Sequence, residues 1–449
     1  MMHAEPVASD PLDASRLDRW LWSRARREWL TSLRAAMTGC STRVELEAAP
    51  FWRREGPRLD RLMTRVQTGA PGTGRPPWQS AWPEAPPRGG GRAEDLGCLR
   101  LVHWNILKGI AFAEILAVLE ENSCLRSPDI LLLNEIDVGM ARSGNRHVAA
   151  ELGARLGMHW AFLPNYLELT KGPGREADAP GENRIGLHGL AILTRRPPRR
   201  LRPAPLPECF DMFAFAEKRY GRRAGLLALP ASGPVVGSVH LEVRGTPACR
   251  ARQMGALLAT LERELAAGSL LDDPPRTPAV IGAGTAGGGI LPPSPPVVLG
   301  GDLNTHTFVR GSLGAKARGY LRILRLSRDA LAQQLSEPWR AGREPLFGLL
   351  ERHGFAWAPF NDCRPTAAEM LGRIEEVGGC FRGVQRAFLA PLGGGSRRIP
   401  LRLDWFAGRG VTLAADAAPV TVGEPSLDDV PSDHLPITLD IAWPTGQPD

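Results

Sequence analysis

Several apolar segments of this chain end abruptly in polar residues, and this pattern constrains the fold more than any other feature. The segment PDILLLNEI at 128–136 runs into Glu135, and PPVVLGGDLN at 295–304 runs into Asp302 and Asn304. Short apolar runs of this kind are typical of buried strands. Because the polar residues come at the strand ends, they meet at one rim of the core. The sequence therefore predicts sheets that share a polar rim.

Strands and helices follow one another unevenly along the chain. Strands outnumber the helices that cross between them, and helices come in blocks, which favours mixed sheets with helices stacked outside over a regular βαβ repeat. The predicted strands cover 99–107, 128–136, 158–164, 186–197, 223–231, 234–243, 295–308, 401–410 and 435–443. The predicted helices cover 112–122, 145–157, 250–268, 320–335 and 345–355.

Composition divides the chain into an N-terminal part and a main domain. Residues 1–65 are predicted to be a helical N-terminal extension, and residues 66–95 are rich in Pro and Gly, as expected of a linker. The main domain is predicted to span 96–449. A low-complexity insertion near 268–296 interrupts it without dividing it, because strands on both sides complete one pattern.

The first helix of the extension is predicted to begin at a cap formed by Asp13 or Ser15 and to end at Gly39. Its apolar stripe comprises Leu30, Leu33 and Met37. Such a stripe favours packing on the main domain, with arginines on the wet face. The alternative is that the Trp and Arg side chains contact a membrane surface or nucleic acid, and the sequence identifies no partner for these helices.

Composition excludes several classes of protein. Hydrophobic residues make up 43% of the 449 residues and charged residues 23%, which is ordinary for a globular chain. The net charge of +7 is diffuse, so no basic nucleic-acid-binding tail is predicted. The chain has no apolar stretch of about 18 residues, and its polar N-terminus argues against a signal peptide. The seven scattered cysteines form no CxxC pair, so we expect no disulfide framework and a reduced, cytoplasmic protein.

The polar strand ends carry the groups that hydrolysis of a phosphate ester needs. Glu135 and Asp433 are hard oxygen ligands that suit Mg²⁺ or Mn²⁺. Asp404 and His434 can form a carboxylate–imidazole pair in which the carboxylate sets the imidazole tautomer.

Further strand-end residues supply the other parts of such a site. Asp302 and Asn304 lie two positions apart, so on an extended segment their side chains point the same way. One can orient water while the other donates to a phosphate oxygen. His240 and Asn105 add donors for the charge that develops on the phosphoryl group.

Residues from about 97 to 443 resemble the endonuclease/exonuclease/phosphatase superfamily. The motifs that carry the resemblance are WNI at 104–106, NEID at 134–137, LHGLAILTRRP at 187–197, VHL at 239–241, GDLN at 301–304, RLDWF at 402–406 and SDHLP at 432–436. GDLN and SDHLP are the most specific of these, and the order and spacing of all seven strengthen the match.

The resemblance implies an α+β fold, a four-layer αββα sandwich of two mixed sheets with outer helices and a site where the sheets open. The implied metal ligands are Glu135, Asn105 and Asp433. The implied catalytic residues are His240, Asp302, Asn304, Asp404 and His434, and the implied phosphate contacts are Asn105, Asn304 and His240. Mechanisms in this superfamily assign the activation of water to the Asp302 position or to the His434 position, and both assignments stay open.

Two loops of the main domain, at 142–147 and 167–189, carry further charged and imidazole side chains. They contain Arg142 and His188, which either contact phosphate or sugar or are solvated loop charges. Asp137, directly after NEI, is expected to be a turn residue and not a ligand.

The leading functional hypothesis is a Mg²⁺- or Mn²⁺-dependent phosphodiesterase that acts on nucleic acid or a related small diester. A hydrolase of lipid headgroups or inositol phosphates is the alternative within the same chemistry. A non-catalytic binding protein on the same fold is the alternative outside it.

Overall fold

Two β-sheets pack face to face, and helices cover the outer surface of each sheet. The resulting four-layer αββα sandwich confirms the α+β fold that the sequence motifs imply. The protein is represented by a computed structural model. It describes residues 22–79, 97–215, 217–231, 233–270, 295–306, 325–370, 398–424 and 431–443.

The larger sheet has nine strands and runs in the order β1-β4-β5-β3-β2-β16-β14, with β7 also paired to β4 and β15 also paired to β16. In chain order its strands are β1 (Gln67–Gly69), β2 (Cys98–Lys108), β3 (Ile130–Val138), β4 (His159–Glu168), β5 (Leu187–Thr194), β7 (Arg219–Gly221), β14 (Thr412–Leu413), β15 (Val420–Thr421) and β16 (Ile437–Ala442). Strands β2 and β3 are parallel, and β2 also pairs antiparallel with β16, so the sheet is mixed as predicted.

The smaller sheet has five strands in the order β13-β10-β9-β8-β6. They are β6 (Arg200–Pro205), β8 (Ala224–Leu229), β9 (Val235–His240), β10 (Val297–Asp302) and β13 (Asp404–Arg409). Strands β9 and β10 are parallel, and the other pairs are antiparallel. A separate two-stranded ribbon consists of β11 (Ala367–Met370) and β12 (Arg398–Leu401).

The helices are α1 (Arg24–Thr38), α2 (Arg43–Ala48), α3 (Trp52–Met63), α4 (Phe112–Glu121), α5 (Val148–Leu156), α6 (Pro247–Ala266), α7 (Arg328–Ser336) and α8 (Leu346–Arg352). Helices α1 to α5 cover the outer face of the larger sheet, and α6 and α8 cover that of the smaller sheet. None of the helices in the described part of the chain is both long and apolar enough to cross a membrane.

The layers follow from the alternation of side chains along each strand. In β2, Leu99 and Leu101 pack between the two sheets, whereas Val102 and Trp104 pack beneath the outer helices. Strand β2 is therefore apolar on both faces, as a strand covered on both sides should be. The inner layer lies between the sheets, and the functional residues extend it at one end.

The N-terminal helices pack on the main domain. In α1, Leu30, Leu33 and Met37 are buried in the outer core of the larger sheet, as the apolar stripe predicts. The start of α1 differs from the prediction, because Ser23 caps it through a hydrogen bond from the backbone N–H of Arg26. The caps expected at 13 and 15 lie outside the described residues.

The outer edge of β4 is covered in two pieces. Strand β1, within the stretch assigned to a linker, pairs with β4 at 160–162, and β7 pairs with it at 166–168. Residues 80–96 of that stretch lie outside the described part of the chain, as do residues 271–294 of the low-complexity insertion. The predicted domain boundaries themselves stay a prediction.

Cys209 and Cys249 form a disulfide, with their Cα atoms 6.2 Å apart. The expectation of unpaired cysteines is wrong for this pair. The two residues are 40 positions apart, and only the folded chain brings the loop after β6 against the first turn of α6. Spacing along the sequence carries no sign of that contact.

Candidate active site

The polar residues at the strand ends meet at one end of the inner layer. Side chains alternate between the two faces of a strand. Asp302 lies an even number of residues after Val298 in β10, so its side chain points to the same inner face as that apolar residue. Register then places these residues side by side, because Asp302 lies opposite His240 in β9 and opposite Asp404 in β13. The pleat of each strand and the register between strands therefore bring these side chains together.

Asp302 lies at the centre of this cluster and is buried. Its Oδ2 accepts a hydrogen bond from Asn105 Nδ2 at 3.1 Å and lies 3.2 Å from His240 Nε2. Its Oδ1 accepts from the backbone N–H of Asn304 at 2.9 Å. The backbone N–H of Asp302 donates to Asn134 Oδ1 of the opposite sheet at 2.9 Å. Contacts from both sheets therefore hold this carboxylate in place.

Asp404 and His434 form the predicted carboxylate–imidazole pair, with Asp404 Oδ2 and His434 Nδ1 2.7 Å apart. The other ring nitrogen, Nε2, lies 3.7 Å from Asp302 Oδ2. Because a carboxylate oxygen only accepts, Nδ1 of His434 carries a proton and donates to Asp404. The imidazole is thereby oriented with Nε2 toward Asp302.

A third residue, His103, completes this pair from the opposite sheet. Its Nε2 lies 2.9 Å from Asp404 Oδ1, and its Nδ1 lies 3.1 Å from the backbone oxygen of Leu132. The side chains of His103 and Asp404 are both fully buried. Each oxygen of Asp404 therefore faces one imidazole, and the carboxylate links the two sheets.

Opposite charges shift the pKa values of this group. Burial alone would raise the pKa of Asp404 and of Asp302, but His434 and the other neighbouring imidazoles outweigh it and lower both. Burial alone would lower the pKa of His434, but the carboxylates of Asp404 and Asp302 raise it well above its ordinary value. The ligand-free site is therefore built as an ion-paired cluster.

Glu135 owes its place to a bulge in β3. The register shifts between 134 and 136, and Glu135 adopts a left-handed backbone with φ of 55°. Without the bulge, alternation would turn Glu135 toward the outer helices, where Leu133 and Ile136 pack. The bulge instead frees its side chain from the outer core.

The carboxylate of Glu135 fits a cation. It has no hydrogen-bond partner among the described residues, and its backbone position is strained. Burial would raise its pKa, but the charges of Lys108, His240 and other nearby groups lower it, so it is ionised. An ionised, unpartnered carboxylate is the donor that a divalent cation takes.

The other two predicted metal ligands are arranged less favourably. The amide of Asn105 is already used, since its oxygen accepts from the backbone N–H of Leu107 and its nitrogen donates to Asp302. Asp433 is exposed and accepts a long hydrogen bond from Ser432 Oγ at 3.5 Å. Although the residue as a whole is exposed, the protein around its carboxylate raises the pKa of Asp433; the charge of His434 opposes this shift, and that of Glu135 adds to it.

A second group could hold a metal. One ligand atom each from Asp302, Asp404 and His434 lies within 4.8 Å of the other two. One hydrogen bond joins His434 to Asp404, and neighbouring residues donate to the carboxylates of Asp302 and Asp404, whereas Glu135 has no hydrogen-bond partner among the described residues. Glu135 is therefore the stronger candidate for holding a cation.

The two remaining predicted residues line the smaller sheet. Asn304 follows β10 in a left-handed conformation with φ of 51°, and its Nδ2 donates to the backbone oxygen of Leu241 at 2.9 Å. Burial and the charge of Arg223 lower the pKa of His240. His240 thus reaches Asp302 through its side chain, and Asn304 reaches it through its backbone N–H.

Arg142 is neither a solvated loop charge nor a free contact for substrate. It is buried in what we call the Arg142 cluster, where it binds four carboxylates. Those carboxylates belong to Asp137, Glu168, Glu176 and Glu217. Asp137 itself lies inside β3, so its assignment to a turn is wrong. Strand β3 continues past the bulge at Glu135 and ends at Val138.

Sequence reasoning missed His103 and Asn134. Both sit at inner-layer positions of strands whose other inner residues are apolar, such as Leu101 in β2 and Leu132 in β3. That mismatch is the signal that could have revealed them, because a polar group between two sheets needs a partner. Asn134 supports Asp302 and also donates to Ser238 Oγ at 3.3 Å.

One protein-family model matches this chain, and several solved structures are similar to it at low sequence identity. A model of the endonuclease/exonuclease/phosphatase family matches residues 102–434. Among solved structures, an endonuclease/exonuclease/phosphatase from Beutenbergia cavernae DSM 12333 is 16% identical, with a TM-score of 0.38 and coverage of 77% of this chain and 72% of that chain. The 3′ phosphatase NExo from Neisseria, bound to a product DNA hairpin, is 15% identical, with a TM-score of 0.39 and coverage of 77% and 100%.

A third similar structure is sphingomyelinase C from Streptomyces griseocarneus, at 14% identity, a TM-score of 0.35 and coverage of 76% and 99%. No curated protein sequence matches the chain. The family match covers well over half of the 449 residues and includes the strands that carry the site. The chain therefore belongs to the endonuclease/exonuclease/phosphatase family, whose members are phosphoester hydrolases.

Proposed function

We propose that the protein is a divalent-metal-dependent phosphodiesterase that uses water to hydrolyse nucleic acid or a related small diester. The observation that carries the proposal is the buried arrangement of Asp404, His434 and Asp302, in which one imidazole is held between two carboxylates. Family membership supports the same chemistry.

The attacking water is placed between His434 and Asp302. Their Nε2 and Oδ2 atoms are 3.7 Å apart, which is too long for a direct hydrogen bond but lets one water reach both. Because the pKa of His434 is raised, its ring carries a proton on Nε2, which donates to the water, while Asp302 Oδ2 accepts a hydrogen bond from that water. The water keeps a lone pair for phosphorus and releases its proton to Asp302.

The phosphoryl oxygens are held by His240, Asn304 and Asn105. An amide NH₂ group has two N–H donors, and one of those in Asn304 donates to the backbone oxygen of Leu241. Its second N–H supports a contact with a phosphate oxygen. Donors placed where negative charge develops are the largest contribution in many hydrolases.

Glu135 binds the catalytic cation, which is Mg²⁺ or Mn²⁺, and Asp433 assists across the pocket. When bound, such a cation supplies Lewis-acid polarisation of a phosphoryl oxygen. The support for Glu135 is its unpartnered, ionised carboxylate. Lys108 lies close enough to Glu135 to help keep that carboxylate charged.

The test is hydrolysis of bis-p-nitrophenyl phosphate and p-nitrophenyl phosphate, together with plasmid, single-stranded and abasic DNA. Each substrate is incubated with Mg²⁺, Mn²⁺ or EDTA. His434→Ala is compared with His159→Ala, a matched control at the far end of β4. Metal-dependent cleavage of the diesters that only His434→Ala abolishes is the expected result. Equal cleavage by both variants would refute the site, and preference for p-nitrophenyl phosphate would refute the diesterase.

We also propose a cytoplasmic location, because the seven cysteines are scattered along the chain and form no CxxC pair. The Cys209–Cys249 disulfide is the opposing observation, because disulfides are rare in that compartment. Alkylation of free thiols in intact cells tests the location. Both cysteines should be alkylated, and their complete protection would contradict a reducing compartment.

A further inference from the structure

A second carboxylate–imidazole pair lies on the Glu135 side of the site. In the antiparallel pairing of β3 and β5, Asp137 stands opposite His188. The Nδ1 atom of His188 is 2.9 Å from Asp137 Oδ1, and its side chain is only 6% exposed. Both residues lie within motifs that carry the family resemblance, and the proposed mechanism assigns neither of them a role.

Arg142 and His188 share the carboxylate of Asp137. Arg142 binds both oxygens of Asp137, at 2.8 Å through Nε and at 3.0 Å through Nη2. A carboxylate oxygen only accepts, so His188 Nδ1 carries the proton and donates to Asp137.

The other nitrogen of His188 is left available. The contact with Asp137 uses Nδ1, so Nε2 is the ring nitrogen that remains for a ligand. No group in the described part of the chain pairs with Nε2, although the side chain is more than nine-tenths buried. A histidine whose second nitrogen donates to a carboxylate is the usual arrangement of a metal-binding histidine.

His188 and Glu135 belong to the same corner of the site. Asp137 follows Glu135 by two residues, after the bulge, and β5 places His188 beside Asp137. His188 is near enough to contribute to the electrostatic environment of the Glu135 carboxylate. The Glu135 carboxylate and His188 Nε2, which have no hydrogen-bond partners among the described residues, therefore belong to neighbouring positions of β3 and β5.

We propose that His188 Nε2 and the Glu135 carboxylate bind the same divalent cation, with Asp137 and Arg142 as the outer support that orients His188. This inference rests on the proposed function, which assigns the catalytic cation to Glu135. An imidazole ligand suits transition metals better than Mg²⁺, whereas carboxylates suit both. The site consequently prefers Mn²⁺ to Mg²⁺.

The experiment measures Mn²⁺ and Mg²⁺ binding by calorimetry and Mn²⁺ coordination by pulsed electron paramagnetic resonance. The proteins are the wild type, His188→Gln, Glu135→Gln and the control His159→Gln. Loss of one ligand should weaken Mn²⁺ binding about tenfold or more in His188→Gln and Glu135→Gln. His188→Gln should bind Mg²⁺ with little change and lose the nitrogen coupling of a coordinated imidazole. His159→Gln should match the wild type.

A further variant guards against a folding defect at this buried position. His188→Cys replaces the imidazole with a thiolate, which is a soft ligand. It should bind Mn²⁺ more weakly than the wild type and Cd²⁺ more tightly, with a new sulfur-to-cadmium charge-transfer band. A gain of Cd²⁺ affinity requires a folded site, so it supports direct ligation by residue 188.

The outcomes separate the two proposals. Unchanged Mn²⁺ affinity and retained nitrogen coupling in His188→Gln would overturn the role of His188, while weakened binding in Glu135→Gln would leave the proposed function standing. Unchanged Mn²⁺ binding in Glu135→Gln would overturn the metal site of the proposed function as well.

Discussion

Replacing His103 with leucine tests whether the residue that links the sheets also supports catalysis. The change leaves Asp404 Oδ1 fully buried without its hydrogen-bond donor at 2.9 Å. A hydrogen bond to a charged group contributes about 1.5–3 kcal/mol, and its loss also leaves the acceptor unsatisfied. We expect the free energy of unfolding to fall by about 2–3 kcal/mol. The pKa of Asp404 should rise, because one of the two imidazoles that lower it is gone.

The same change should slow turnover without altering substrate binding. If about 1.4 kcal/mol of the lost contact holds His434 in place in the transition state, kcat falls about tenfold. The assays are urea unfolding and hydrolysis of bis-p-nitrophenyl phosphate, with kcat and KM measured separately. His103→Gln is the matched control, because its amide can still donate to Asp404, and it should recover part of both losses. A leucine variant with wild-type stability and kcat would refute the reasoning.

Three further outcomes follow from the site and its surroundings. His434→Ala and Asp302→Asn should each lower turnover by about 10² or more in the same diester assay, and wild-type rates in both would contradict the site. Glu135→Gln should raise the Mn²⁺ concentration that gives half-maximal activity, and an unchanged metal titration would contradict ligation by Glu135. His147 is buried among aromatic rings, which lowers its pKa from 6.5 to about 3. Below pH 6.5 the unfolded chain binds a proton that the folded chain does not. Stability should therefore fall by about 2 kcal/mol between pH 7 and pH 5, and by less in His147→Phe, as measured by urea unfolding.

Much of the site could be predicted because each residue stands at the end of an apolar strand. Asp302 and Asp404 are examples, since burial on both sides of β10 and β13 leaves only one end for polar groups. Register, which sequence periodicity does not give, then set Asp302 between His240 and Asp404. The polar ends of apolar strands predicted where the site lies in the fold. The pairing of the strands determines which side-chain atoms meet there.

What escaped prediction depends on contacts between distant segments. His103 meets Asp404 across the gap between the sheets, at a separation of 301 residues. The Arg142 cluster joins side chains from β3, β4 and the loop before β7, so no single segment shows it. The bulge at Glu135 is likewise invisible in a run of apolar residues that would suit an unbroken strand.

The short strand β1 has a consequence for the behaviour of shortened chains. Residues 160–162 of β4 pair with β1 on one side, and an uncovered strand edge exposes unpaired N–H and C=O groups. Such an edge invites pairing with the same edge of another molecule, which is a route to aggregation. Removing residues 1–95 would therefore produce a shorter protein that aggregates through the uncovered edge of β4. The N-terminal segment therefore prevents this edge of the sheet from pairing with the same edge in another molecule of the protein.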